Sequence, residues 1–428
     1  MVALIFIVLG ITMVFGMPIA MGMVLSASTP MILGSRAGGS INQMIVNSFS
    51  GADTTPIIAV PLFILAGVIM AEGGISRKLF RVFAYFVGRF TGGLPCAVIL
   101  TCLFYGAISG SGPATTAAVG AMAIPFLTEL GYDKVFCAGM VGTAGGLGVI
   151  IPPSIPFVLY SMATGVSTGA LFLGGVLPGI FIGFCLMAYA VQYCRKHGED
   201  RQKIDDVLKE MQKTGFIRIL WNSVQALLSP VIVLGGIYGG IFTPTEAACI
   251  SVFYSLVVSL FIYRSLPFKS VVPCLRNAVK TYAPLCFLLA FATAFGRVLT
   301  LLKAPAVVSN FVLGNFSSAA AVVGMIVVVF LLLGMVMDTG PAIVILAPIL
   351  LPIVVKLGVH PVHFGVIMVC CLSIGLVTPP FGLDLFVASA LCETSPMTVA
   401  KKAMPFILAF GVALFFITYI PWLSLALL

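Results

Sequence analysis

Ser109-Gly-Ser-Gly-Pro-Ala114 and Met337-Asp-Thr-Gly-Pro-Ala342 are two helix-breaking stretches of closely similar pattern. Each lies at the centre of a long apolar segment, about residues 90–130 and 318–357. About 20 apolar residues suffice to cross a bilayer, so neither segment is one helix. Each is either two full crossings or a re-entrant hairpin that enters and leaves on one side. A second pair of breaks follows: Gly148-Val-Ile-Ile-Pro-Pro153 and Gly375-Leu-Val-Thr-Pro-Pro380. The first pair aligns at an offset of 228 residues and the second at 227, which marks an internal repeat.

The surrounding composition fixes the class. Of 428 residues, 61% are hydrophobic and 8% charged, where a soluble domain carries about 25% charged. Mean hydropathy is +1.20. This composition excludes an ordinary soluble protein and predicts an all-α polytopic membrane protein. The net charge of +9 does not point to nucleic acid, because the basic residues sit in short loops between apolar segments and reflect topology. The 11 cysteines are scattered at apolar positions without a C-x-x-C pair and read as small hydrophobes. The apolar segment from Met1 lacks the basic flank of a cleavable signal and reads as a retained first span.

Candidate crossings are 1–28, 56–75, 135–163, 171–194, 220–240, 245–263, 281–302, 361–392 and 403–427. With a cytoplasmic N-terminus and both broken segments as hairpins, 18 basic residues fall inside. Only Arg36, Lys303 and Lys356 fall outside, and Arg297 lies within a span. That bias favours hairpins and makes the two repeats inverted. The expected organisation is a first repeat at 1–194 (hairpin 90–130, broken helix 135–163) and a second at 245–428 (hairpin 318–357, broken helix 361–392). Residues 195–244, a charged cytoplasmic connector followed by a linking helix, join them.

Inverted repeats with interrupted helices point to a secondary transporter's midplane site. Gly and Pro at a break free backbone carbonyls, which hydrocarbon penalises unless they line a polar cavity or bind something. Carbonyls beside a hydroxyl or carboxylate suit a dehydrated hard cation such as Na⁺, and the N-terminus of the following half-helix suits an anion.

Gly106-Ala-Ile-Ser-Gly-Ser-Gly-Pro-Ala-Thr-Thr116, Gly145-Gly-Leu-Gly-Val-Ile-Ile-Pro-Pro-Ser-Ile-Pro156, Thr243-Pro-Thr-Glu-Ala-Ala248 and Thr378-Pro-Pro-Phe-Gly-Leu383 resemble the large membrane subunit of tripartite ATP-independent periplasmic (TRAP) transporters. The resemblance spans nearly the whole chain. It implies uptake of a small organic acid, such as sialic acid or a C4-dicarboxylate, driven by two or more Na⁺ through an elevator motion. It also implies a periplasmic binding protein, a small membrane subunit on a separate chain, and residence in the bacterial cytoplasmic (inner) membrane. One implied Na⁺ site comprises Ser109, Gly110, Ser111, Gly145 and Gly148; the other comprises Gly334, Asp338, Thr339, Gly375 and Thr378. Ser109, Ser154 and Asp338 are the expected substrate contacts, with Asp384 and Arg297 as further candidates. The sliding body would carry both hairpins and both broken helices against a frame of 1–28, 171–194, 245–263 and 403–427.

Other features have plainer readings. Thr243-Pro-Thr-Glu246 fits a helix N-terminal cap. His360 and His363 have no nearby acid or Cys and do not read as a metal pair. His197 and the charged stretch 195–218 read as a solvated surface helix. The rivals to transport are an intramembrane aspartyl protease using Asp338 and Asp384 and an ion channel. The protease leaves the repeated breaks unexplained, and two inverted hairpins closing on one midplane site suit alternating access better than a continuous pore. No P-loop is present in the sequence.

Overall fold

The computed structural model describes residues 1–34, 38–213, 215–315, 318–380 and 382–428, and these are all-helical. Arg36, read as an outside charge, lies outside the described residues. Helices α1 (Val2–Val14), α2 (Ile19–Ile32), α3 (Ile41–Ala52), α4 (Thr55–Glu72) and α5 (Ile75–Val87) lead to α6 (Gly93–Ser109) and α7 (Gly112–Glu129). Next come α8 (Lys134–Gly145), a 3-10 turn at Gly146–Val149, α9 (Ile155–Thr164) and α10 (Thr168–His197). The middle holds α11 (Arg201–Lys213), α12 (Phe216–Tyr238), α13 (Pro244–Val257), α14 (Val271–Leu301) and α15 (Ala304–Asn315). The chain finishes with α16 (Ala319–Gly334), α17 (Thr339–Lys356), α18 (Pro361–Gly375), α19 (Leu383–Cys392), α20 (Pro396–Tyr419) and α21 (Trp422–Leu425).

The breaks arise from local chemistry. Gly110, at φ +62°, takes the left-handed conformation that stops α6 and costs glycine nothing. Ser111 is extended, and Gly112-Pro113 then opens α7, where a proline lacks only a hydrogen bond that the first turn does not make. Asp338 caps α17 by accepting the Thr339 N–H at 2.7 Å. Both Pro-Pro bonds, 152–153 and 379–380, are cis. Thr243 and Glu246 build the expected capping box on α13.

Among the described residues, five helices are long and apolar enough to cross a membrane: Thr168–His197, Pro244–Ile262, Phe268–Leu301, Thr339–Lys356 and Pro396–Tyr419. Residues 1–28 do not make one span. Gly16 (φ +73°) and Pro18 end α1 after 13 residues and restart the chain as α2, which packs back on α1. At about 1.5 Å per residue, a 13-residue helix is too short to cross alone.

Packing sorts the helices into two groups. α4 lies against α13 and α14, and α14 also packs on α2 and α3. The two hairpins, α6–α7 and α16–α17, pack with the broken helices α8–α9 and α18–α19. The contacts cross between repeats: α19 packs on α7, and α9 packs on α17. These two pairs exchange if the repeats are exchanged. The segments 171–194 and 403–427, expected in the frame, behave otherwise. α10 packs on α6, α18 and α20, and α20 packs on α8, α18 and α19, so both belong to the group that holds the hairpins. For α10, its glycines explain this. A Cβ on Gly175 would meet the Ile150 carbonyl at 2.6 Å, and one on Gly174 would meet the Ser424 carbonyl at 3.0 Å, so the face of α10 is cut to fit the broken helices.

Candidate functional site: a cavity between the hairpin tips

The tips of both hairpins open on one cavity of about 690 Å³. Ser109, Gly110 and Ser111 reach it from one side, and Asp338, Thr339 and Gly340 from the other. Its far wall is made by α4, ending at Glu72, and by Asn277, Thr281 and Leu285 of α14. Three helix N-termini border it: α7 through Ser111 and Pro113, α9 through Ile155 and Pro156, and α17 through Asp338 and Thr339. Helix N-termini carry partial positive charge and free N–H groups. Among the described residues no Lys or Arg lines the cavity, while Glu72 and Asp338 do.

The first hairpin tip is tightly organised. Ser109 is 2% exposed, its hydroxyl lies 2.8 Å from that of Thr115, and the Thr115 hydroxyl donates to the Ser111 carbonyl at 2.8 Å. The broken helix closes on this tip through glycines. A Cβ on Gly148 would overlap the Thr115 hydroxyl and come within 2.7 Å of the Ser111 carbonyl, and one on Gly145 would overlap the Thr116 hydroxyl. The structure therefore brings Ser109, Gly110, Ser111, Gly145 and Gly148 together. Oxygen atoms from a carbonyl and hydroxyls converge there, a donor set suited to a hard monovalent cation.

The second set is joined in pieces. A Cβ on Gly375 would overlap the backbone of Gly334, so α16 and α18 touch main chain to main chain. Asp338 is half-buried at the cavity, and its Oδ1 also accepts the Thr339 hydroxyl at 3.3 Å. The Thr378 hydroxyl turns back to donate to the Ile374 carbonyl at 2.7 Å.

Three of the expected substrate contacts stand elsewhere. Ser154 is fully buried; its hydroxyl donates to the Val149 carbonyl and accepts the Phe157 N–H at the start of α9. Asp384 is fully buried and does not line the cavity. Arg297 is exposed on α14. From Thr281, which lines the cavity, a 16-residue step rises about 24 Å and turns about 160° beyond whole turns, which places Arg297 on the opposite face.

Glu72, Asn277 and Thr281 escaped the sequence reading. Glu72 closes an apolar span, which is a usable signal. Asn277 lies in a basic stretch that reads as a loop, yet α14 begins at Val271 and carries it into the wall. Of the histidines, His360 caps α18, and the His363 ring pairs with the Thr418 carbonyl at 3.3 Å.

A second polar cluster lies at the base of the first hairpin. Glu199 follows α10, and its side chain is 2% exposed rather than solvated. It accepts the Tyr132 hydroxyl at 2.6 Å and the Gly92 N–H at 3.0 Å, and it pairs with Arg201 at 3.1 Å. Gly92 precedes α6 and Tyr132 follows α7, so one carboxylate clasps both ends of the hairpin. His197 stacks on Tyr193 with ring centroids 4.0 Å apart.

Comparison with known proteins agrees with this architecture. Residues 4–423 match the family model described as the tripartite ATP-independent periplasmic transporter, DctM component. The chain is 44% identical over 411 residues to the isethionate TRAP transporter permease protein DctMQ of Oleidesulfovibrio alaskensis, covering 96% of this chain and 63% of that longer relative. It is 37% identical to the C4-dicarboxylate TRAP transporter large permease protein DctM of Vibrio cholerae, covering 99% of this chain and 96% of that one. With the sialic acid TRAP transporter large permease protein SiaM of the same organism it shares 30% identity, over 96% and 95% of the two chains. The crystal structure of the YdaH transporter of Alcanivorax borkumensis has a similar fold, with TM-score 0.61 and 16% identity over 89% of this chain and 88% of that one. This multi-pass membrane protein therefore belongs to the DctM family of TRAP transporter large permease subunits, which are transport proteins and not enzymes.

Proposed function

We propose that this chain is the Na⁺-coupled permease of a three-part uptake system that imports a small organic anion through an elevator motion. The observation that carries this reading is the cavity shared by the two hairpin tips, bordered by three helix N-termini and free of basic side chains among the described residues. Such a site holds a carboxylate or sulfonate by N–H groups and hydroxyls. Its volume of about 690 Å³ suits a small organic acid. With Glu72 and Asp338 on its walls, an anion binds well only after cations have offset their charge. This supplies the coupling: substrate binds the Na⁺-loaded form better than the Na⁺-free one.

The residues assigned to the first ion are Ser109, Gly110, Ser111, Gly145 and Gly148. Gly334, Asp338, Thr339, Gly375 and Thr378 are assigned to the second. Bound Na⁺ would neutralise Asp338 and pin each hairpin tip to the broken helix behind it. The moving body is α6–α10 with α16–α20, and the frame is α1–α4 with α12–α15. The cavity wall at Glu72, Asn277 and Thr281 adjoins Arg77, Lys78, Arg276 and Lys280, which the positive-inside rule puts at the cytoplasmic face of the inner membrane. The cavity thus belongs to the inward-facing end of the cycle.

Relatives named for isethionate, C4-dicarboxylate and sialic acid transport give the panel to test. The three-part family description and the relative named DctMQ support a small membrane partner and a periplasmic binding protein. The test is uptake of these labelled acids into proteoliposomes, with and without an inward Na⁺ gradient and the cognate binding protein. Uptake that needs both supports the reading; uptake indifferent to Na⁺ removes the coupling.

A further inference from the structure

The two walls of the cavity have opposite polarity. The hairpin tips and the first broken helix present the N-termini of α7, α9 and α17, which are partly positive. The facing wall presents the other end of a helix: α4 finishes at Glu72, and Ala71 and Glu72 both line the cavity. A helix C-terminus is partly negative, and here a carboxylate adds its own charge.

Glu72 has no compensating partner. It is exposed and enters none of the ion pairs among the described residues. The nearby bases are engaged elsewhere or solvated. Lys78 lies over the Tyr263 ring, 3.0 Å from its centroid, while Arg77, Arg276 and Lys280 are exposed and do not line the cavity. An anion leaving toward the cytoplasm passes from an acidic wall to a basic rim.

The end of α4 is fixed to the frame. The Gly73 carbonyl accepts the Ser265 hydroxyl at 2.8 Å, a Cβ on Gly73 would overlap the Ser259 hydroxyl, and α4 packs along α13 and α14. The three N-termini belong to the moving body. Sliding therefore brings a bound anion against Glu72 at the inward-facing end of the cycle and takes it away at the other.

We propose that Glu72, together with the C-terminal end of α4, expels the anion into the cytoplasm. It lowers affinity at the inner face and hastens release, without changing the gradient that Na⁺ coupling can sustain. Taken as a sphere, a cavity of about 690 Å³ is about 11 Å across, close to the Debye length at physiological salt, so the bound anion feels the Glu72 charge and added salt weakens it. Two unit charges at that range, screened between the limits of water and protein surface, change affinity by about two- to tenfold.

This inference rests on the transport reading, and the test separates the two. The chain and its small membrane partner are placed in proteoliposomes. Labelled isethionate, C4-dicarboxylate or sialic acid is supplied outside on its binding protein, and the same unlabelled acid is loaded inside. The internal concentration giving half of its maximal effect on labelled uptake reports inner-face affinity. The expected value falls about two- to tenfold in Glu72→Gln and stays at wild type in Glu72→Asp. Choline chloride, equal on both sides at a fixed Na⁺ gradient, lowers the value in wild type and Glu72→Asp but not in Glu72→Gln. Glu72→Gln with the wild-type value, or Glu72→Asp with the Gln value, overturns the role. Should Glu72→Gln fail to fold, the wild-type salt titration decides alone, and a salt-independent value overturns the role. Wild-type uptake that ignores the Na⁺ gradient removes the coupling but leaves this comparison intact. Uptake of none of the three acids, with or without Na⁺, overturns the transport reading and this role with it.

Discussion

Replacing Gly375 with alanine tests whether hairpin and broken helix meet at the main chain. A Cβ at Gly375 would overlap the carbonyl carbon, Cα and oxygen of Gly334. None of these atoms can rotate away, so α16 and α18 must separate. Overpacking costs about 1–3 kcal/mol where side chains can give, and a backbone obstacle puts Gly375→Ala at the upper end, about 3 kcal/mol. The reciprocal change is milder, because a Cβ on Gly334 would lie 3.1 Å from the Gly375 Cα and 3.2 Å from the Leu372 Cα and carbonyl oxygen. A shift of a few tenths of an ångström accommodates it, at about 1 kcal/mol. Gly411→Ala, in α20 with nothing within 4 Å, is the control and is neutral or stabilising by up to about 1 kcal/mol through helix propensity. Thermal unfolding of the purified chain followed by intrinsic fluorescence gives the order: Gly411→Ala at or above wild type, Gly334→Ala slightly below, Gly375→Ala far below. A Gly375→Ala protein as stable as wild type, or more stable than Gly334→Ala, refutes the close approach.

Three further outcomes follow from named contacts. Tyr132→Phe deprives the buried Glu199 carboxylate of one partner, costs about 1–3 kcal/mol, and speeds hydrogen exchange at both ends of the first hairpin while leaving the second unchanged. At Asp133, burial acts to raise the carboxyl, but hydrogen bonds from Lys402 and from the Val135 N–H outweigh it and hold the group below the usual aspartate range. Its contribution to stability is therefore full above the ordinary aspartate pKa and lost as pH falls through the lowered one; Asp133→Asn removes that acid-side loss from the pH–stability profile. Paired cysteines at Gly340 and Leu285 should be joined by a short, reducible thiol-specific cross-linker, since a Cβ on Gly340 would lie 3.5 Å from the Leu285 Cδ2. The cross-link ties hairpin to frame and stops uptake until reduced, whereas uptake unaffected by complete cross-linking argues against sliding.

The parts of this architecture that the sequence disclosed are those written in backbone chemistry. The Gly-Ser-Gly-Pro and Asp-Thr-Gly-Pro breaks and the two Pro-Pro pairs interrupt helices through the backbone itself, so the helix ends at Ser109, Gly334 and Gly375 are legible in the sequence. What stayed hidden depends on distant partners. Glu199 sits in a run of charges and reads as solvated, yet its partners Tyr132 and Gly92 lie 67 and 107 residues away. Asp384 is aimed at Gly112, in the other repeat. Arg297 belongs to the right helix and the wrong face, which a single-residue reading within an apolar span does not resolve. The uniformly apolar run around Gly16 and Pro18 masks the break there, and helix length does not reveal where α10 belongs, which shape at Gly174 and Gly175 decides.

The central claim is that one cavity between the hairpin tips binds the anion and is completed by Na⁺. Its most direct test is Na⁺-gradient-driven uptake by Ser109→Ala and Asp338→Asn in proteoliposomes, with Na⁺ titrated at saturating substrate-loaded binding protein. A hydrogen-bonded charged ligand contributes about 1.5–3 kcal/mol. The account therefore predicts that Asp338→Asn needs at least about tenfold more Na⁺ for half-maximal uptake, and that Ser109→Ala shifts the same way by a smaller factor. Uptake by both variants at wild-type rate and wild-type Na⁺ dependence would contradict it.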